Sequence, residues 1–260
     1  MIRGLYTAVS GLITQEAKQD VITNNMANIN TVGFKGDNLA VKKFDDVLIS
    51  NYDKVLGGKN VKNVIGSLSM GSRIDEVNTD FTAGMLQETD KWTDFAIEGQ
   101  GFFTVLRNDG ISSKEMYTRD GHFHVNGAGF LVNDSGDNVL GKNLTTGKNE
   151  PIYVGRGKAT SDNEGNLNID GNAKYKLATV DFDDYKSLKK VGDNLYEGTN
   201  PVENGNVTVK QNALEKANVN IINEMVNMMS VMRTFETNQK VVQAMDETLG
   251  KAVNEVGSVR

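Results

Sequence analysis

His122 and His124 are the only histidines in the 260-residue chain, and Asp120 lies just upstream of them. Residues two apart on a strand share a face, so these three bring together donor types that metals use. They supply only one carboxylate and two imidazoles, and a solvated strand face is the more ordinary reading of the same spacing. Asp162, Glu164, Asn166, Asn168 and Asp170 alternate like the ligands of a calcium loop. The glycine is Gly165, away from the sixth loop position, and no Glu closes the twelfth, so the series reads as a hairpin turn. Asp183 and Asp184 have the acid–base character used in sugar hydrolysis, but nothing in the sequence places them in a cleft. Gly99-Gln100-Gly101 lacks the third glycine of a phosphate loop and opens no helix, so it reads as a turn. The chain has no cysteine, which removes disulfides, thiol nucleophiles and Cys-ligated zinc. These residues by themselves mark no evident catalytic, cofactor or metal site, and the carboxylate pair stays open.

The elements around these residues point to architecture. From Leu214, alternating steps of four and three residues meet Asn218, Ile221, Met225, Met228, Met232, Phe235, Gln239, Val242, Asp246, Leu249, Val253 and Val256. Only three of the thirteen positions are polar, and a 3.5-residue apolar repeat is the seam of a coiled coil. At 1.5 Å per residue the helix would run roughly 65 Å, more than a compact domain covers, so it needs a partner helix. The same stepping from Leu5 gives Ala8, Leu12, Gln15, Gln19, Ile22, Met26 and Ile29. Matching seams at the two termini predict an antiparallel coiled-coil pair carrying a central insert. The methionines Met225, Met228, Met229 and Met232 suit a helix that meets several slightly different surroundings. Asn24, Asn25 and Asn28 weaken the end of the first helix, because their amides compete for backbone hydrogen bonds. They read either as a fraying end or as a polar interface.

The middle of the chain has a different texture. Gly is abundant at 27 and Pro scarce at 2, which favours a turn-rich β segment over disorder. Phe95 to Leu106, Tyr117 to Val125, Phe130 to Val132 and Val139-Leu140 are short apolar runs broken by turns every 8 to 12 residues. Asn108-Asp109-Gly110 marks a hairpin. Residues 51–71 hold few large apolar side chains and four glycines, Gly57, Gly58, Gly66 and Gly71, and read as an extended or mobile loop. A net charge of −6 with scattered basic residues argues against nucleic acid as a partner. No segment reaches the 18 or so continuous apolar residues of a membrane span. The N-terminal residues lack the layout of a cleaved secretory signal, so any export would leave them intact.

Several motifs resemble one family. Ser10-Gly11-Leu12, Asp20-Val21-Ile22, Asn24-Asn25-Met26-Ala27-Asn28 and Thr31-Val32-Gly33-Phe34-Lys35 are similar to the N-terminal signature of bacterial flagellar rod and hook proteins. Phe95 to Phe103 and Tyr117-Thr118-Arg119-Asp120-Gly121 are similar to its central motifs. Asn218-Val219-Asn220, Glu224 to Met228, Arg233, Phe235-Glu236 and Asn238 are similar to its C-terminal motif. The likeness is strongest to the distal-rod branch and next to the proximal-rod branch. Met26 and Phe235 stand where the family usually has Leu and Tyr, and residues 51–71 match least.

The resemblance implies a structural subunit that polymerises into the axial drive shaft between motor and hook. It also implies passage through the flagellar type III export apparatus, other rod and hook proteins as partners, and a place in the basal body outside the cytoplasmic membrane. Fold and family together give an α+β expectation. Residues 1–34 and 212–260 form the discontinuous helical coiled-coil domain, 35–93 and 200–211 the connecting region, and 94–199 the β-rich outer domain. The expected assembly seam is Leu5, Leu12, Ile22, Met26, Ile29, Leu214, Ile221, Met225, Met228, Met232, Phe235, Val242 and Leu249. Asn24, Asn25, Asn28, Asn218 and Asn227 are its expected polar contacts. The alternatives are a cell-surface binding module built on the β domain and a peptidoglycan-acting enzyme.

Overall fold

The computed structural model describes residues 2–56, 59–108, 113–155, 157–169, 171–203 and 207–256. Gly57, Gly58, Asp109, Gly110, Asp170 and the side chain of Val256, all used in the sequence reading, lie outside them. The fold is α+β, with a helix toward each terminus and a large β-sheet body between them. The chain divides into two compact units. A helical unit takes Met1–Met26, Asp37–Asn78 and Ile221–Arg260, and a β unit takes Ala27–Gly36 and Thr79–Asn220. The connecting region expected over residues 35–93 is therefore shared between the two.

In the helical unit, α1 spans Ile2–Ala27 and α2 spans Ile221–Lys251. Both lack proline, and α1 satisfies several of its hydroxyls on its own carbonyls, as Thr23 Oγ1 does on Gln19 at 2.7 Å. The helices run antiparallel. A Cβ on Gly4 would stand 2.8 Å from Met245, and one on Gly11 would stand 2.9 Å from Asn238. Two of the expected seam ends fall outside the helices. Ile29 follows the last turn of α1, and Leu214 lies in a strand, Ala213–Glu215, not in α2. That strand pairs with Leu86–Glu88, so its backbone groups are held in a ladder and unavailable to a helix.

Residues 37–79 form a two-stranded ribbon. Strand β1 (Asp37–Lys43) pairs with β4 (Ser72–Thr79), and β2 (Val47–Leu56) pairs with β3 (Lys59–Leu68) from Val47↔Leu68 to Leu56↔Lys59. This replaces the loop expected over residues 51–71. Register shifts at Ile49/Ser50 and between Asn51 and Lys54 break the period-two pattern that marks a strand. Apolar residues are exposed along the ribbon, Leu48 at 72% and Ile65 at 63%, so no alternation of buried and exposed faces shows in the sequence.

The β unit is built on a sheet of thirteen strands among the described residues. Its centre is Phe102–Asn108, which pairs with Ser113–Thr118 (Val105↔Met116), with Asn138–Asn143 (Val139↔Val105) and with Thr179–Asp181 (Thr179↔Phe103). Successive side chains take opposite faces. Phe103, Met116 and Leu195 enter a core with Phe95, Phe123, Leu167 and Ile169. Their neighbours Phe102, Tyr117 and Tyr196 enter a second, aromatic cluster with Val180 and Phe182. Both faces of the central strands are thus covered, which is why this stretch reads as continuous apolar pairs.

Candidate functional site

The residues with chemical character have structural employment. His122 Nδ1 lies 3.1 Å from Asp134, and His124 lies 3.8 Å from the same carboxylate, so the two imidazoles do share a face. Asp120 is turned back on its own loop, where it accepts the His122 N–H at 2.9 Å, and burial pushes its carboxyl up to about 6. No group of three His, Cys, Asp or Glu side chains among the described residues could hold a metal. Asp162 closes a hairpin by accepting the N–H groups of Glu164 and Asn166 at 3.1 and 2.9 Å, as the turn reading expects. Asp184 caps a short 3-10 turn through the Lys186 N–H. Gly99 and Gly101 take φ +106° and +125° in the bend between two strands.

The bend leads to a cluster of buried charges in the β unit. Arg119 donates from Nη2 to the Gly99 carbonyl at 2.6 Å and from Nη1 to Glu215 Oε2 at 3.1 Å. Lys35 donates to Glu215 Oε1 and to the Thr82 carbonyl, both at 2.7 Å. The Gly84 N–H completes the carboxylate at 2.7 Å. Lys35, Arg119 and Glu215 are all under 5% exposed. Burial holds the Lys35 ammonium below the usual lysine range, against the pull of Glu215. Two cations share one anion here, so Glu215 is the residue on which the group depends.

The segment that delivers Lys35 is tied down residue by residue. The Val32 carbonyl accepts Asn194 Nδ2 at 2.7 Å, and the Gly33 N–H donates to the Glu215 carbonyl at 2.7 Å. Gly33 has φ +64°, and a Cβ there would sit 2.4 Å from the Arg119 backbone. Phe34 lies 4.0 Å beneath the Lys190 ammonium. Asn218 then collects the nearby turns of chain. Its Oδ1 accepts the Gly36 N–H at 2.8 Å, and its Nδ2 donates to the Asp80 carbonyl at 2.7 Å. Asn218 was expected to bond across subunits, and these bonds lie within one chain instead. Glu215 was not singled out from the sequence at all. Its only signal is an acidic residue in a strand that otherwise faces inward.

The helical unit carries the other expected site. The less exposed positions of α2 are Glu224, Met228, Val231, Phe235, Asn238, Val242, Met245 and Leu249, at alternating steps of four and three. Met228, Phe235, Val242 and Leu249 belong to the expected seam. Ile221, Met225 and Met232 do not face inward and are 41, 46 and 48% exposed. On α1 the expected residues Leu5, Leu12 and Met26 are half-buried and Ile22 is buried. Asn25 is 3% exposed and pairs with the Asp37 backbone in both directions, its Oδ1 accepting and its Nδ2 donating at 2.9 Å. Its amide therefore anchors β1 to α1. Asn28 Oδ1 accepts the Thr31 hydroxyl at 3.2 Å in the turn beyond α1, Asn24 is exposed on α1, and Asn227 lines a cavity between the helices and β1. A second apolar row, Ile222, Val226 and Met229, faces outward from α2, 68, 54 and 53% exposed.

Three family profiles match the chain. The flagella basal body rod protein profile covers residues 5–35, the flagellar hook protein FlgE/F/G D1 domain 96–180, and the flagellar basal body rod FlgEFG protein C-terminal profile 210–255. Lys35, Arg119 and Glu215 fall one in each. Along its full length the chain is 30% identical to the full length of the flagellar hook-basal body complex protein FlhO of Bacillus subtilis. It is 32% identical to the flagellar basal-body rod protein FlgG of the same organism, over 98% of this chain and 99% of the relative. It is 31% identical to the flagellar basal-body rod protein FlgF of Caulobacter vibrioides over the whole of both chains.

Proposed function

Because the chain belongs to the flagellar basal-body rod protein family, we propose that its two terminal helices form a coiled pair whose outward residues build the rod. The protein is an FlgG-like structural rod subunit with a role in motility, sited in the basal body outside the cytoplasmic membrane. In our reading, copies of it polymerise helically, join other rod and hook proteins, and transmit torque as part of the drive shaft. The chain reaches its site through the type III export apparatus and performs no catalysis.

One observation carries this reading: α2 has apolar rows on two sides. The inner row meets α1 of the same chain. The outer row of Ile222, Val226 and Met229 is left to water in a lone subunit. Adjacent apolar residues at helical spacing mark an interaction surface. Ile221, Met225 and Met232 flank that row, so these expected seam residues serve contacts between subunits in this reading. The ribbon of β2 and β3 also calls for a cover from neighbouring subunits in this reading, since a two-stranded sheet with apolar residues on view is marginal in water unless covered.

The test is Met229→Asp with Val226→Asp, expressed in a strain lacking the native chain. The expected result is a protein with an unchanged unfolding transition and basal bodies without complete rods. Normal swimming by this variant would remove the outer row from the assembly surface.

A further inference from the structure

The second half of α1, the first half of α2 and the start of β1 line a half-open cavity of about 290 Å³ in the helical unit. Its wall includes Asp37, Asn38, Glu224, Asn227 and Ser230. Glu224 lies in the first turn of α2, and its Oε2 is shielded from solvent yet accepts no hydrogen bond from the chain. A shielded carboxylate oxygen without a donor is unfavourable and calls for a cation. The cavity's own cation, Lys18, stands further along, in register with Val231, and does not supply that donor.

The outer face of α2 offers the complement. The row Ile222, Val226, Met229 continues by one more step of four to Arg233, which is exposed. Among the described residues Arg233 has no acidic partner. A guanidinium has five donors, enough to meet Glu224 together with the side-chain oxygens of Asn227 or Ser230. The pair cannot close within one chain, because nine residues of helix put the two about 13.5 Å apart on opposite faces.

Resting on the rod-subunit reading, we propose that Arg233 of one copy enters this cavity in a second copy and pairs with Glu224, while Ile222, Val226 and Met229 cover the rim. Each copy presents both the cavity and the arginine. In an axial polymer the arginine of each copy serves the next copy and not the one that serves it, a heterologous contact that repeats along the rod.

The absence of native cysteine makes the test direct. A chain carrying both Glu224→Cys and Arg233→Cys cannot be bridged internally by a short bis-maleimide, since the two side chains lie on opposite faces about 13.5 Å apart along the helix. Basal bodies treated with that bis-maleimide, whose span stands in for the lost glutamate and arginine side chains, should yield a covalent ladder of this chain, and neither single cysteine variant should yield one. In parallel, Glu224→Arg and Arg233→Glu should each abolish swimming, and the double charge reversal should restore it. Monomers only from cysteine-bearing rods, free swimming by the single charge variants, or a double reversal no better than either single would each overturn the pairing. A strain lacking the chain is the separate check on the underlying reading: it should build no complete rod. If that strain builds normal rods, the rod assignment itself falls.

Discussion

Lys35 and Glu215 stand 180 positions apart in the chain and 2.7 Å apart in space, each side chain 1% exposed. Arg119 reaches the same carboxylate from the other side. One residue from each of three distant motifs thus meets in a single buried group, and the stability of the β unit depends on the anion among them.

Glu215→Gln should be the most damaging change in the group. It leaves two buried cations facing a neutral amide, at about 3–5 kcal/mol. Lys35→Met leaves a one-to-one pair of Arg119 with Glu215, and the Thr82 carbonyl keeps its longer bond from Asn218 at 3.3 Å, so the loss should be about 0.5–1.5 kcal/mol. Denaturant unfolding followed by the tyrosine and tryptophan signal of the β unit orders the two. A Lys35→Met protein less stable than Glu215→Gln would contradict the charge count.

Gly33→Ala should destabilise far more than Gly136→Ala. Both glycines have positive φ, at +64° and +86°. A Cβ at position 33 would strike the Arg119 backbone at 2.4 Å, whereas position 136 has nothing within 4 Å. The second change costs only the left-handed backbone penalty of about 1–2 kcal/mol, and the first adds a clash with backbone that has no room to move. Equal shifts in unfolding midpoint would show that the contact at Gly33 is not tight.

Asp120 makes stability depend on pH. Its carboxyl is pushed by burial from 3.8 to about 6. Between those values the folded chain holds a proton that the unfolded chain releases, so stability falls as pH rises through this window and is level above it. Asp120→Asn keeps an acceptor for the His122 N–H and has no charge to desolvate. It should be more stable than the native protein at pH 7.5 by about 3 kcal/mol, with the gap closing toward pH 4. A gap that widens on acidification would reverse the sign and defeat the argument.

Gly11 tests the approach of the helices. A Cβ there would meet only the side-chain amide of Asn238, at 2.9 Å, and no backbone. Gly11→Ala should therefore be tolerated, with a helix-propensity gain of up to about 1 kcal/mol to set against the contact. Gly11→Leu has no such escape and should part the helices. Limited proteolysis of α1 and α2 reads the difference, and equal resistance in both variants would mean that the helices do not depend on this contact.

Much of this fold is legible in the sequence because burial imprints a period. The pair Phe102-Phe103 announces a strand covered on both faces, and the 3.5-residue step passes through Met228, Phe235, Val242 and Leu249, which are among the less exposed positions of α2. The intermediate positions are ambiguous for a physical reason. α2 is apolar on two sides, so the alternating step passes equally well through Met225 and Met232 or through Val231 and Met245. Pattern does not tell which row meets α1. The ribbon at residues 47–68 is hidden because its bulges erase alternation. The charge group is hidden because its members are scattered single residues, and no local pattern says that Lys35, Arg119 and Glu215 meet. The asparagines show the limit of propensity. Asn25 has a low helix propensity, but its amide pairs with the backbone of Asp37 in the same chain.

The meeting of Lys35 with Glu215 also closes a very long loop, and closes it with charge. In a chain without sulfur crosslinks, nothing covalent has to be broken for that loop to be drawn out into a linear thread. Nothing has to be oxidised for it to shut again, and the entropy of closing it grows only with the logarithm of its length. The latch is reversible by construction, and it works alike in reducing and oxidising surroundings.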